Sequence, residues 1–377
     1  MTFDELVTAA GSRGASDIHL RASHVPLVRI DGLLERWTTV APLTAEYLEA
    51  IAMRLLPPVH QDRLKTKMEV DVAWQAPGVG RVRASVFRQR GTVGISMRLI
   101  PSDVPSLESL GLPSSVISLS EESRGLVLVT GATGSGKSTT LAALVDLINR
   151  TRALHILTIE DPIEFVHSDH RAVVTQREVG FDTPAYASGL RSALRQDPDV
   201  ILIGEMRDPE TIETALVAAE TGHLVLSTLH TLDAPETINR IVSVFPPHQQ
   251  GQIRHQLSRV LRAAVSQRLL PRADGRGRVL AAEVLIATPY VRDCIADHEK
   301  TAAVPDAIVQ GVSQYGMQSF DQAILRLCQQ NLVTVDEAVH WVTNVEEFKM
   351  RLRGITPGSA AAVALGEKGG QIHRFGA

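Results

Sequence analysis

Cysteine is nearly absent: of 377 residues, only Cys294 and Cys328 carry a thiol. Two such residues cannot build a four-cysteine zinc site or a disulfide framework, and a reducing, cytosolic compartment is expected. Aromatic residues are scarce, at 4%, and the net charge is −4 rather than positive. No basic stripe with interleaved aromatics runs along the chain, which argues against a nucleic-acid partner. No stretch approaches the ~18–20 apolar residues of a membrane span. The start, Met1-Thr-Phe-Asp-Glu5, is acidic and lacks the apolar core of a signal peptide. Any membrane association is therefore expected to be peripheral, through a partner protein.

What is present is organised around one glycine-rich stretch. Gly131, Ala132, Thr133, Gly134, Ser135, Gly136, Lys137 and Ser138 fit the G-x-x-x-x-G-K-[ST] phosphate-binding loop. Residues 126–130 before it form a short apolar, partly β-branched run that reads as a buried parallel strand. After it, Leu141, Leu144, Val145 and Ile148 recur at helical spacing, and Thr139 lies in the first turn. Strand, glycine loop and helix are the context the motif needs. Glycines let the backbone curl its N–H groups toward phosphate oxygens, and the helix start favours negative charge. Lys137 can then reach the β/γ-phosphates and Ser138 the Mg²⁺.

The length allows two or three domains. Residues 1–100 read as an α+β domain with an antiparallel sheet. Thr2-Phe-Asp-Glu5 is a capping box opening a helix over 2–13. Strands are expected at 16–20, 27–30 and 33–37, with Asp31-Gly32 as a hairpin turn. Thr44 caps a helix that Pro57-Pro58 should stop, and strands follow at 69–74, 81–88 and 93–99. Residues 101–120, rich in proline and serine, read either as a hinge-like linker with one short helix or as a packed surface loop. From 121 the pattern becomes alternating strand and helix, with strands at 126–130, 155–159, 200–203 and 224–228, which indicates a parallel sheet covered on both faces. Residues 121–288 form this core. A hairpin loop at 272–278 joins runs at 264–270 and 279–287, helices fill 289–353, and 354–377 reads as a disordered tail.

In open α/β sheets, ligands sit beyond the carboxyl ends of the strands. Each strand end here carries polar chemistry. The acids Glu160, Asp161 and Glu164 follow one strand and suit activation of a water. Glu205 follows another, the Walker B arrangement that acts on Mg²⁺-bound water. His230 follows a third, where it could sense a γ-phosphate. Each has a plainer alternative: solvated turn acids, Asp208 as a helix cap, His223 and His230 as hydrogen-bonded core histidines. The joint placement on four successive strands favours the functional reading.

At these positions the chain resembles the secretion-superfamily ATPases. The motifs are the Walker A loop at 131–140, an Asp box at 158–166, Walker B at 201–208 and a His box at 221–231. More narrowly it is similar to their pilus-retraction branch, including Gly14-Ala-Ser-Asp-Ile-His19, Phe245-Pro-Pro, Gln267-Arg-Leu-Leu-Pro271 and Gly316-Met-Gln318. The resemblance implies an N-terminal PAS-like domain, a RecA-like ATPase core and C-terminal helices, assembled as a homohexamer at the cytoplasmic face of the inner membrane. It implies ATP and Mg²⁺ as cofactors, retraction of type IV pili as the activity, and an inner-membrane platform protein and a retraction paralogue as partners. By motif match Glu164 is the general base, Glu205 the Walker B carboxylate and His230 the sensor. Arg81, Arg83 and Arg98 match N-domain arginines that reach a bound nucleotide.

Related extension and secretion ATPases carry a four-cysteine zinc insertion and a longer N-terminal region, and two distant cysteines do not fit that pattern. One departure stands out. The retraction branch has Ala-Ile-Arg-Asn-Leu-Ile-Arg-Glu where this chain reads Tyr290-Val-Arg-Asp-Cys-Ile-Ala-Asp297. Arg292 and Ile295 are kept, but Ala296 replaces the second arginine. A regulatory or accessory paralogue is the alternative this motivates.

Overall fold

The structure is a computed structural model that describes residues 1–30, 32–100 and 104–353, except for the side chain of Val59. The tail expected at 354–377 and the Asp31 half of the hairpin turn lie outside the described residues. The chain divides into two compact units, Met1–Val104 with Glu164–Val166, and Pro105–Ile163 with His167–Ala377.

The first unit opens with α1 (Phe3–Ser12). The Thr2 hydroxyl accepts from the Glu5 amide while the Glu5 carboxylate accepts from the Thr2 amide, the reciprocal cap that the sequence announces. Six strands follow: β1 (Ala15–Arg21), β2 (Leu27–Ile30), β3 (Leu33–Arg36), β4 (Glu69–Ala76), β5 (Gly80–Gln89) and β6 (Thr92–Leu99). They form a sheet in the order β3-β2-β1-β6-β5-β4. Every neighbouring pair is antiparallel. Period-two alternation gives the sheet a buried face, with Val82, Ala84 and Val86 of β5 beside Ile95 and Met97 of β6. Helix α2 (Ala45–Leu55) buries Leu48, Ile51 and Leu55 in that core.

A further helix, α3 (Pro58–Lys67), begins where the sequence pattern expects only a stop. Pro57 closes the preceding segment, but Pro58 sits at the first helical position. There its fixed φ fits and its missing N–H is no loss.

The second unit begins with a stretch that buries Leu107, Leu112, Val116 and Leu119 and includes the short helix α4 (Ser114–Ile117). The Ser115 hydroxyl donates to the Gly316 carbonyl at 2.7 Å. Seven strands form its sheet: β7 (Gly125–Thr130), β8 (His155–Glu160), β9 (Val173–Glu178), β10 (Val200–Ile203), β11 (Leu224–Leu229), β12 (Leu261–Pro271) and β13 (Arg278–Ile286). The order is β13-β12-β7-β11-β10-β8-β9. All neighbours run parallel except the β12–β13 hairpin. Strands β7, β10 and β11 are buried along their whole length, as the near-continuous apolar runs require. Edge strand β9 has no such run (Val-Val-Thr-Gln-Arg-Glu, mostly half-buried), so the sequence pattern does not reveal it.

Helices flank this sheet: α5 (Lys137–Thr151), α6 (Tyr186–Ala193), α7 (Pro209–Glu220), α8 (Ala234–Ser243) and α9 (Pro247–Val260). The C-terminal helices are α10 (Pro289–Ala296), α11 (Val304–Gln310), α12 (Val312–Tyr315), α13 (Phe320–Gln329), α14 (Val335–Ala338) and α15 (Val345–Leu352). Arg254 of α9 is buried and donates to the Ile295 carbonyl, the Thr301 hydroxyl and the Asn239 side-chain oxygen. Burial lowers its pKa, opposed by the charge of Asp297. Among the described residues, no helix is long and apolar enough to cross a membrane.

Candidate active site

The glycine loop connects β7 to α5, and its glycines are required by space as well as by φ. Gly131 has φ +139°, and a Cβ there would stand 2.5 Å from the Gln267 carbonyl and 2.6 Å from the Ser135 hydroxyl. Gly136, the cap of α5, has φ +92°. A side chain at either position would be strained, and at Gly131 it would also collide. The first turn of α5 has no side-chain cap, so its amides are available to an anion. The Lys137 side chain is buried, and its ammonium donates to the carbonyls of Gly131 at 2.8 Å and Ala132 at 3.0 Å. The Ser135 hydroxyl is buried with no hydrogen-bond partner. An unsatisfied buried donor beside a lysine and a helix start is what a phosphate oxygen satisfies.

Strand register places the other motifs along the same edge. Leu229 of β11 pairs with Thr130 of β7, Ile203 of β10 with Ser227 of β11, and Ile159 of β8 with Ile203. Gly131, His230 and Gly204-Glu205 follow these ends, and Glu160 closes β8 with Asp161 after it. The Glu205 carboxylate accepts from Arg207 Nε at 2.6 Å and lies 3.3 Å from His230 Nε2. Burial pushes its pKa upward, but the Arg207 hydrogen bond and the His230 and Arg207 charges outweigh this and hold it below the usual glutamate value. A carboxylate kept ionised in this way can act as a cation ligand. Asp208 accepts from the Thr211 amide at 2.9 Å and its hydroxyl at 2.6 Å, so its plainer reading as the cap of α7 holds. His223 contacts the Ala218 carbonyl at 2.9 Å through Nδ1, a structural bond at the end of α7. Glu160 accepts from Thr158 Oγ1 and Gln176 Nε2.

Glu164 is exposed and falls with the first unit. So do the three arginines, which share one face of the antiparallel sheet. Arg83 pairs directly across the strands with Arg98, and Arg81 lies two residues along β5. Asp71 flanks Arg83 at 3.9 Å, and Asp17 accepts from Arg98 Nε at 3.0 Å. These carboxylates offset the repulsion of two like charges placed opposite each other.

Three contributors have no local sequence signal that assigns them a role. Gln267 of β12 is buried beneath the glycine loop, and its Nε2 donates to Thr140 Oγ1 at 2.7 Å. Arg207 was visible only as a residue beside Glu205. Tyr186, first residue of α6, places its hydroxyl 3.0 Å from where a Cβ on Gly204 would stand. Burial, then the charges of Asp161, Glu205 and Glu160, hold that phenol in its neutral form. Tyr186 is brought to Gly204 by tertiary packing alone.

This glycine loop on a largely parallel, helix-covered sheet, with an acid and a histidine on neighbouring strand ends, defines a P-loop nucleotide-binding protein. Residues 1–302 match the family described as type II/IV secretion system protein, and the chain belongs to that family. It is 45% identical over 338 residues to the Pseudomonas aeruginosa type IV pilus retractation ATPase PilT, covering 90% of this chain and 97% of that one. It is 38% identical over 353 residues to the type IV pilus ATPase PilU of the same organism, covering 94% and 92%. Its fold matches the crystal structure of the pilus retraction motor PilT with bound ADP at a TM-score of 0.85. There the identity is 44%, covering 92% of this chain and 98% of that one.

Proposed function

We propose that this chain is a Mg²⁺-dependent ATPase that works as a homohexamer and powers retraction of type IV pili, the activity for which its PilT relative is named. The observation that carries the reading is the Glu205–His230 pair on strand ends neighbouring the Lys137 loop. The near-complete coverage of a retraction ATPase supports the pilus assignment. Loop amides from Gly131 to Thr139 and the Lys137 ammonium bind the β- and γ-phosphates. Ser138 and Glu205 offer the hard oxygen donors that suit Mg²⁺, which when bound neutralises charge on the phosphoryl oxygens. Glu164 takes the proton of the attacking water, and His230 reads the γ-phosphate through its contact with Glu205. Arginines 81, 83 and 98 supply positive charge to the transferring phosphoryl group from a neighbouring subunit. Cleavage thereby changes how subunits engage each other, and that change is the mechanical step. The protein works at the cytoplasmic side of the inner membrane, held there by a platform protein.

The test is ATP hydrolysis measured against oligomer size, with and without Mg²⁺, together with twitching motility of a deletion strain. Activity confined to the hexamer and loss of twitching are expected. A fully active monomer would overturn the shared-site mechanism. A second reading, an accessory paralogue, rests on α10, where Ala296 stands in place of the branch's second arginine. Unchanged pilus retraction in the deletion strain favours it.

A further inference from the structure

A row of polar side chains crosses three strands beside the glycine loop. Thr130 of β7 pairs in register with Ser266 of β12, and Ser266 with Glu283 of β13. The Thr130 hydroxyl donates to Ser266 Oγ at 3.1 Å, and Ser266 stands in register with Glu283 on the neighbouring strand. Glu283 is 8% exposed and accepts at Oε1 from the Ala234 amide at 2.9 Å. Ala234 opens α8, four residues after His230. The short segment between them is otherwise held locally, by Thr231 Oγ1 to Thr237 Oγ1 at 2.7 Å and the Leu232 amide to Glu236 at 2.8 Å. The Glu283 contact ties it to the far strands by a hydrogen bond, beside the apolar packing of Ala234 and Ile238 in the core. Hydrogen bonds and strand register together therefore link Thr130, immediately before the loop, to the start of the helix that follows the His230 segment.

We propose that Glu283 is a positioning residue that fixes the His230 segment against the phosphate-loop strand, so that the sensor and the loop keep one spacing. This rests on the ATPase reading given above. The groups facing the Glu283 carboxyl are Asp233 at the α8 cap and Arg268 and Ser266 on β12. Burial is the largest influence and raises its pKa from the usual 4.5 to about 7, against the pull of the Ala234 amide. Over that interval the folded protein keeps a proton that the unfolded chain has lost. The stability this contributes is full below about 4.5 and is lost as pH rises through about 7. The charged carboxylate is the stronger acceptor at a helix start, so the better-positioned form gains population as pH rises through about 7.

The experiment compares wild type, E283Q, E283A and S266A as assembled protein. Above neutral pH, E283Q and S266A are expected to lose about three- to tenfold in kcat, with KM for ATP unchanged within about twofold. Wild-type kcat should rise through neutral pH, and E283Q should lack that rise. The wild-type melting temperature should fall relative to E283Q between about pH 5 and about pH 8. Without nucleotide, amide exchange at Ala234 should accelerate in E283A and, where E283A does not fold, in E283Q above neutral pH. Wild-type kcat and pH profile in both E283Q and S266A would overturn the proposal. So would unchanged Ala234 protection. If the wild type hydrolyses no ATP, the ATPase reading fails, and the exchange measurement still decides whether Glu283 holds α8.

Discussion

Along β5, residues alternate Arg81, Val82, Arg83, Ala84, Ser85 and Val86, whereas β11 buries all six residues from Leu224 to Leu229. The first sheet keeps polar groups on a face, where Arg81, Arg83 and Arg98 lie part-way along the strands. The central strands of the second sheet, β7, β10 and β11, are buried on both faces, and the candidate site residues Gly131, Glu205 and His230 lie beyond their ends. An antiparallel sheet can therefore present a charged surface, while a parallel one concentrates its polar groups on one edge. The proposed reaction would draw on both, phosphate and metal at the edge and added positive charge from the arginine face of a neighbouring subunit.

The largest effect that would break this contrast is on the edge. Lys137→Ala and Glu205→Ala should reduce ATP turnover to background while circular dichroism and the melting temperature stay near wild type. Appreciable turnover in either would remove the edge as the site. Next comes the face. Replacing Arg81, Arg83 and Arg98 singly by alanine should cost about 10³-fold or more in kcat for the residue that contacts the phosphoryl group. The stability cost should stay under about 1 kcal/mol for Arg83, whose pair with Asp71 is exposed on both sides, and be larger for Arg98, whose partner Asp17 is buried. If all three variants hydrolyse ATP normally, the arginine face is only a solvated surface.

Glu164→Ala sharpens the comparison differently. It should bind a fluorescent ATP analogue normally but fail to hydrolyse ATP; lost binding would make Glu164 structural. Gly204→Ala probes the packing behind the edge. A methyl 3.0 Å from the Tyr186 hydroxyl should destabilise by about 1–3 kcal/mol in chemical denaturation, and pairing it with Tyr186→Phe should recover part of that. The smallest effect is Asp208→Ala, which removes a cap and should cost about 1 kcal/mol, with turnover preserved. A large loss of turnover would give Asp208 a role beyond capping.

The motifs were legible because they are local. A glycine loop between a strand and a helix, a capping box at Thr2 and a proline after Asp208 each act within a few residues, so sequence order already encodes them. The parallel sheet was legible because burial on both faces leaves runs of apolar residues. What stayed hidden depends on distant partners. Strand β9 is half-exposed and reads as a polar loop until β8 lies beside it. Helix α3 was masked by a proline pair that serves equally to end one helix and to start another. Tyr186 and Gln267 carry no motif of their own for the site, because each is brought there by packing from another part of the chain. Glu283 looks like an ordinary strand acid until its register with Ser266 and the approach of α8 bury it.

Arg254 makes separation of the C-terminal helices from the core costly. Its guanidinium is gripped by oxygens from α8, α10 and the turn after it, so parting these elements would strand a cation in an apolar interior. Residues 289–301 are thereby pinned to α8 and α9 by one buried cation shared among three oxygens.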